Sequence, residues 1–190
     1  LATSAVAATA TTAGSSITLK DDDDLTLAGI TGKVVTITVG ALAAQTLPVI
    51  ADSLTVTSTG GKDITLLNAG NKIGTFSASS SSGATLGSIS VLDSDADLIL
   101  GNVKAGPVAI TSTGSGPITQ VTGTAITGTK LTVNNTAGAV VLGNAANDVA
   151  SVTIANAGRA VTYTDSSGFD VTGISGSTVT LSAAGTITQT

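Results

Sequence analysis

The side chains able to hold a metal ion in this 190-residue sequence are few and clustered. All twelve acidic residues are aspartates, and there is no histidine or cysteine. Asp21, Asp22, Asp23 and Asp24 form one run directly before Leu25. Asp93, Asp95 and Asp97 alternate with small residues directly before Leu98, and a third, eroded copy reads Asp165-Ser-Ser-Gly168 before Phe169. Oxygen ligands crowded on a turn suit Ca²⁺, which takes six to eight of them. The runs lack the bidentate glutamate and the spacing of an EF-hand loop, and do not match the glycine-rich calcium repeats. Two readings follow: calcium binding at the acidic turns, through the seven aspartates of the first two runs, or solvated acidic turns that oppose edge-to-edge aggregation.

Catalysis has little to work with. Without histidine or glutamate, and with Arg159 the only arginine, the carboxylate and cation groupings of polysaccharide lyases and hydrolases are missing. The sequence therefore predicts a protein that is not an enzyme. Phe76, Tyr163 and Phe169, the whole aromatic complement, fall at apolar positions and are expected in the core. Lys62 and Asp63 read as an exposed turn pair of little energetic weight.

The elements that place these turns come from a repeat. Three segments align: Leu25-Thr-Leu-Ala-Gly-Ile30 with Val35 and Ile37, Leu98-Ile-Leu-Gly-Asn-Val103 with Val108 and Ile110, and Phe169-Asp-Val-Thr-Gly-Ile174 with Val179 and Leu181. They start 73 and then 71 residues apart. Within that period lie apolar pairs at alternate positions, each the signature of a short strand with one face inward. One column reads Val35/Ile37, Leu54/Val56, Phe76/Ala78, Val108/Ile110, Leu131/Val133, Val152/Ile154 and Val179/Leu181. A second reads Ile64/Leu66, Ile89/Val91, Ile118/Gln120, Val140/Leu142, Val161/Tyr163 and Ile187/Gln189, and a third is marked by Ile30, Ile73, Val103, Ile126, Val149 and Ile174. Gly, Asn, Ser and Asp clusters separate them as turns.

The expected fold is all-β: a right-handed parallel β-helix with about 24 residues and three short strands per coil, so that the long period spans three coils. Residues 1–14 lack the columns and are expected to be an irregular or linking segment, with the β-helix over 15–190. An antiparallel sandwich is the competing fold, but it needs no matched columns. In the first column the outward residues Thr36, Thr55, Ser77, Ala109, Thr132, Thr153 and Thr180 would stack as one hydroxyl row. Such a row makes ice binding a third functional reading. Asn68, Asn71, Asn102, Asn144 and Asn147 fall at turns, where stacked amides can hydrogen-bond along a solenoid.

Composition agrees with a layered β core. Hydrophobic residues are 42 % of the chain but aromatics only 2 %, leaving Val, Ile, Leu and Ala as the packing material. The net charge of −5 disfavours nucleic acid as a partner, and no apolar run is long enough to insert in a membrane.

The motifs Leu98-Ile-Leu-Gly-Asn102, Val141-Leu-Gly-Asn-Ala-Ala-Asn-Asp148, Pro117-Ile-Thr-Gln120 and Gly185-Thr-Ile-Thr-Gln189 resemble those of filamentous-haemagglutinin-like adhesins, which are two-partner-secreted or autotransported. The resemblance implies a structural shaft of an exported bacterial surface adhesin or extracellular fibre, supporting adhesion or biofilm matrix. It places the protein outside the cell or on its surface, near host-cell or matrix partners. Because the sequence stops inside a strand motif, the expectation is continuation in a longer chain or end-to-end self-association.

Overall fold

The computed structural model describes residues 4–9, 15–40, 43–83, 85–156 and 158–190. Among these there is no helix. The chain is a parallel β-solenoid of about nine turns, in which short strands join one continuous sheet. Among the described residues the exception to the parallel pairing is a small hairpin, where Ser81 pairs antiparallel with Leu86.

Alternate residues of each strand point inward, as the sequence pattern requires. Leu25–Val39 and Ala43–Ser58 are long strands that turn the solenoid's corners without leaving the sheet, and their inward residues Leu27, Ile37, Leu54 and Val56 are fully buried. Stacking of coils supplies the core, since one coil cannot cover its own apolar face. Burying one such aliphatic side chain is worth about 1.5–3 kcal/mol. The three aromatic residues are buried, and Tyr163 meets Phe169 edge to face with ring centroids 5.0 Å apart.

The columns differ from the expected ones. One ladder pairs Leu25, Ala43, Ile64, Ile89, Val108, Leu131 and Val152 in succession. A neighbouring ladder pairs Leu98, Ile118, Val140, Val161 and Val179. Val35, Leu54 and Phe76 stack on each other and then on Leu100. The first expected column therefore joins residues from three runs of pairing, and the second joins two. Of the third, Val103 and Ile126 do pair, whereas Ile30 pairs with Val49 and Ile174 with Ile154.

The reason lies in coil length. One coil advances 18 residues from Ile17 to Val35 and 25 from Ile64 to Ile89, because turn lengths vary while the strand register is kept. Three such steps carry Leu25 to Ile89, and Leu98 follows on the next ladder. The 73-residue sequence period thus spans three coils plus one ladder. Segments alike in sequence are rotated to a neighbouring face.

Ser4–Thr9 also pairs in parallel with the strand from Leu25, so part of the segment expected to be irregular belongs to the sheet. Residues 10–14 lie outside the described residues.

Candidate functional site

The two acidic runs sit on different corners. Asp21 ends the strand Ser16–Asp21 and stacks over Val39, Ser58 and Ser80. Its Oδ1 accepts the backbone N–H of Asp23 at 3.0 Å. Asp22 faces the Lys20 ammonium at 3.5 Å, with both side chains largely in solvent, where such a pair is worth little. Asp93 instead stacks over Ser112, Asn135 and Asn156. Asp95 accepts the N–H of Ala96 at 2.9 Å. Asp97 lies against Gly116, where a Cβ would strike its carboxylate and the Ala96 carbonyl. Among the described residues, no three acidic side chains come together as a cation-ligand set. The two runs lie on different ladders, because the repeat is rotated between them.

Asp93 is the departure from a solvated turn, for it is fully buried. Its Oδ1 accepts the N–H of Ile73 at 2.8 Å and its Oδ2 that of Asp95 at 3.1 Å. Burial pushes its carboxyl up to about 6, against the lowering effect of the backbone donors and with a contribution from the nearby Asp95 charge. Asp63, by contrast, is held below the usual carboxylate range by the backbone N–H and hydroxyl of Ser88.

Asp93 closes a buried network spanning three coils. Asn71 Nδ2 donates to the carbonyls of Leu66 at 3.2 Å and Leu92 at 3.0 Å, and to Gln45 Oε1 at 3.1 Å. Its Oδ1 accepts the N–H of Val49 at 2.9 Å and the Gln45 amide. The same arrangement recurs on the neighbouring ladder. Asn147 Nδ2 donates to Leu142 O at 3.3 Å, Thr164 O at 3.1 Å and Gln120 Oε1 at 3.2 Å. Its Oδ1 accepts the N–H of Ile126 at 2.8 Å and Gln120 Nε2 at 2.7 Å. Asp165 takes the place of Asp93, accepting the N–H of Val149 at 3.1 Å.

Asp165 has more donors: the Tyr163 hydroxyl at 2.7 Å, the Ser167 N–H at 2.9 Å and the Ser167 hydroxyl at 3.0 Å. The Tyr163 hydroxyl is raised above its usual pKa by burial first and by that bond second. Buried amides and carboxylates seek partners inside the protein, and those of Asn71, Asn147, Asp93 and Asp165 tie strand ends of successive coils together. Sequence reasoning found the asparagines but not their partners. The available signal was the recurrence of Gln and Asn 26 and 27 residues apart, followed in both copies by a turn aspartate.

The other three turn asparagines singled out in the sequence bond across coils to the backbone. Asn68 and Asn144 donate to the carbonyls of Thr46 and Val121, and Asn102 accepts the N–H of Ala125.

The expected single hydroxyl row is divided. Thr36, Thr55 and Ser77 stack together with Thr18, whereas Ala109, Thr132 and Thr153 follow Ser90 on another ladder, and Thr180 stacks on Thr162. Among the described residues, the seven expected positions do not share one row.

Residues 83–156 match a protein family described as repeats of unknown function (DUF5649). Neither the curated proteins nor the solved structures give a match. The matched stretch carries Asp93, Gln120 and Asn147, and its repeats together with the parallel ladders mark the chain as a β-helical repeat protein.

Proposed function

We propose that this chain is a structural shaft of an exported bacterial surface adhesin or extracellular fibre, of the filamentous-haemagglutinin-like kind. Its coils are right-handed and three-sided, as parallel crossovers prefer. The observation that carries the reading is the unbroken ladder from Leu25 to Val152, along which each coil is hydrogen-bonded to the next. A rod built this way resists bending, because deformation must strain every ladder at once. Two further features support the reading. The buried amide networks lock coil to coil, and the buried carboxylates accept backbone N–H groups and a few side-chain hydroxyls, as part of that lock.

The shaft works outside the cell or on its surface, lengthened within one chain or by copies stacking end to end. Negative-stain electron microscopy of the native material tests this. Long thin fibres about one coil wide are expected. Discrete short particles at every concentration would overturn the fibre. Grids prepared with a calcium chelator test the acidic turns in the same experiment, since fibres that fall apart would give them a metal-binding role.

A further inference from the structure

The chain holds three glutamines, and all three occupy the same place in the repeat. Gln45 stacks on Leu27, Gln120 on Leu100 and Gln189 on Val171, each the third residue of one of the aligned segments. Two residues earlier, Ala43, Ile118 and Ile187 stack on Leu25, Leu98 and Phe169, so the glutamines share the inward parity of those positions. An amide among inward Val, Ile and Leu side chains needs hydrogen-bond partners once it is covered.

Two of the three have them. Gln45 and Asn71 exchange amide hydrogen bonds in both directions, and so do Gln120 and Asn147. Each asparagine belongs to the coil stacked next and follows its glutamine by 26 or 27 residues. Gln189 lies on the strand Ile187–Gln189, which pairs on one edge with Phe169, Asp170 and Val171 and on the other with no described strand. Its amide makes no hydrogen bond to another described residue, and Ile187 is 40 % exposed. The strand is nonetheless held in place. The Thr188 and Thr190 hydroxyls donate to the two carboxylate oxygens of Asp170 at 3.0 and 2.7 Å. That pins the outward residues and presents Ile187 and Gln189 on the opposite side.

We propose that this open edge is a docking site for a further parallel coil carrying an inward asparagine, which Gln189 holds as Gln45 and Gln120 hold theirs. The strand edge offers backbone donors and acceptors to any coil. Gln189 adds selectivity, because a coil with only apolar inward residues would bury its amide unpaired. The opening coils of a second copy do not fit, since the first asparagine in the chain is Asn68. The inference deepens the lengthening of the proposed shaft and rests on that reading for its setting, but the pairing itself does not require a fibre.

The test lengthens the intact chain in two ways. In one, residues 121–190 are repeated after Gln189, which sets a second copy of Asn147 27 residues beyond it. In the other, residues 15–190 are repeated after Thr190, so that coils without asparagine come first. Hydrogen exchange at Ile187, Thr188 and Gln189 reads the junction. In the first chain these amides are expected to gain about a hundredfold protection over the parent. Gln189→Ala should then lose about tenfold of it, Asn147→Ala in the repeated stretch alone as much, and the double substitution no more than either. In the second chain Gln189→Ala is expected to change nothing. A junction left unprotected in the first chain, additive losses, or an equal Gln189→Ala loss in the second chain would overturn the proposal. Exchange is read on single chains, so microscopy judges the shaft separately and neither result decides the other.

Discussion

The networks around Asn71 and Asn147 are two builds of one device, and they differ at the carboxylate. Both asparagines use every donor and acceptor on the same kinds of partner: two carbonyls, one glutamine and one backbone N–H. Asp165 then has four donors within reach, the hydroxyl of buried Tyr163 among them and the Ser167 hydroxyl shared with Asp148. Asp93 accepts two, and the residue two positions before it is Val91 where the other network has Tyr163. The asparagine is the common structural requirement. The aspartate is where the two copies are free to diverge, and burial, opposed by backbone donors, leaves Asp93 with a pKa displaced upward to about 6.

The largest effect should come from the shared part. Asn71→Ala and Asn147→Ala each leave a buried N–H and two buried carbonyls without their amide partner. Each is expected to lose about 3 kcal/mol in urea unfolding. Near-equal losses support the equivalence of the two networks. A loss confined to one would show that the other is already relaxed in solution.

The next effect separates the copies. In Asp165→Asn the new NH₂ group must face either Val149 N–H and Tyr163 or the two Ser167 donors, and about 2 kcal/mol is expected to be lost. Asp93→Asn confronts one donor at most and removes a buried charge. Its stability at neutral pH should stay within about 0.5 kcal/mol of the parent. Equal losses at the two sites would break the comparison. Tyr163→Phe sharpens it further, removing one of four donors from Asp165 for about 1 kcal/mol while keeping the ring against Phe169.

These features were unequally legible in the sequence. The alternation at Leu54/Val56 or Val152/Ile154 reports a strand with one buried face, and both pairs are buried as read. What could not be read was which coil each pair stacks on. Inward positions of all ladders carry the same Val, Ile and Leu, so an apolar pattern matches any face equally well. The match of Leu25 with Leu98 is real, but it relates positions on neighbouring ladders. Turn length decides the outcome: 18 residues per coil near Ile17 and 25 near Ile64 make the repeat precess instead of returning to its starting face. Asp93 was misread for a related reason. Its neighbours Asp95 and Asp97 mark a solvated turn, and only the inward parity of the strand Ile89–Asp93, continuing Ile89 and Val91, places its carboxylate inside.

The last expected effect is also the most diagnostic, because it concerns Asp93 as a titrating group. Its folded pKa of about 6 lies above the ordinary carboxylate value of 3.8, so the folded state holds the proton more tightly than the unfolded chain does. Stability from this group therefore rises as pH falls through 6, and the gain is complete near 3.8. Between pH 7 and pH 5 it amounts to about 1 kcal/mol. Asp63 runs the other way, its lowered value adding stability above the usual carboxylate range and losing it in stronger acid, outside this window. Urea midpoints measured at pH 7 and pH 5 should accordingly move up in the parent and stay level in Asp93→Asn. A midpoint that rises equally in both would mean the proton goes elsewhere. One that falls in the parent would mean Asp93 is paired better than its two N–H donors allow, and that the two networks end in equivalent carboxylates after all.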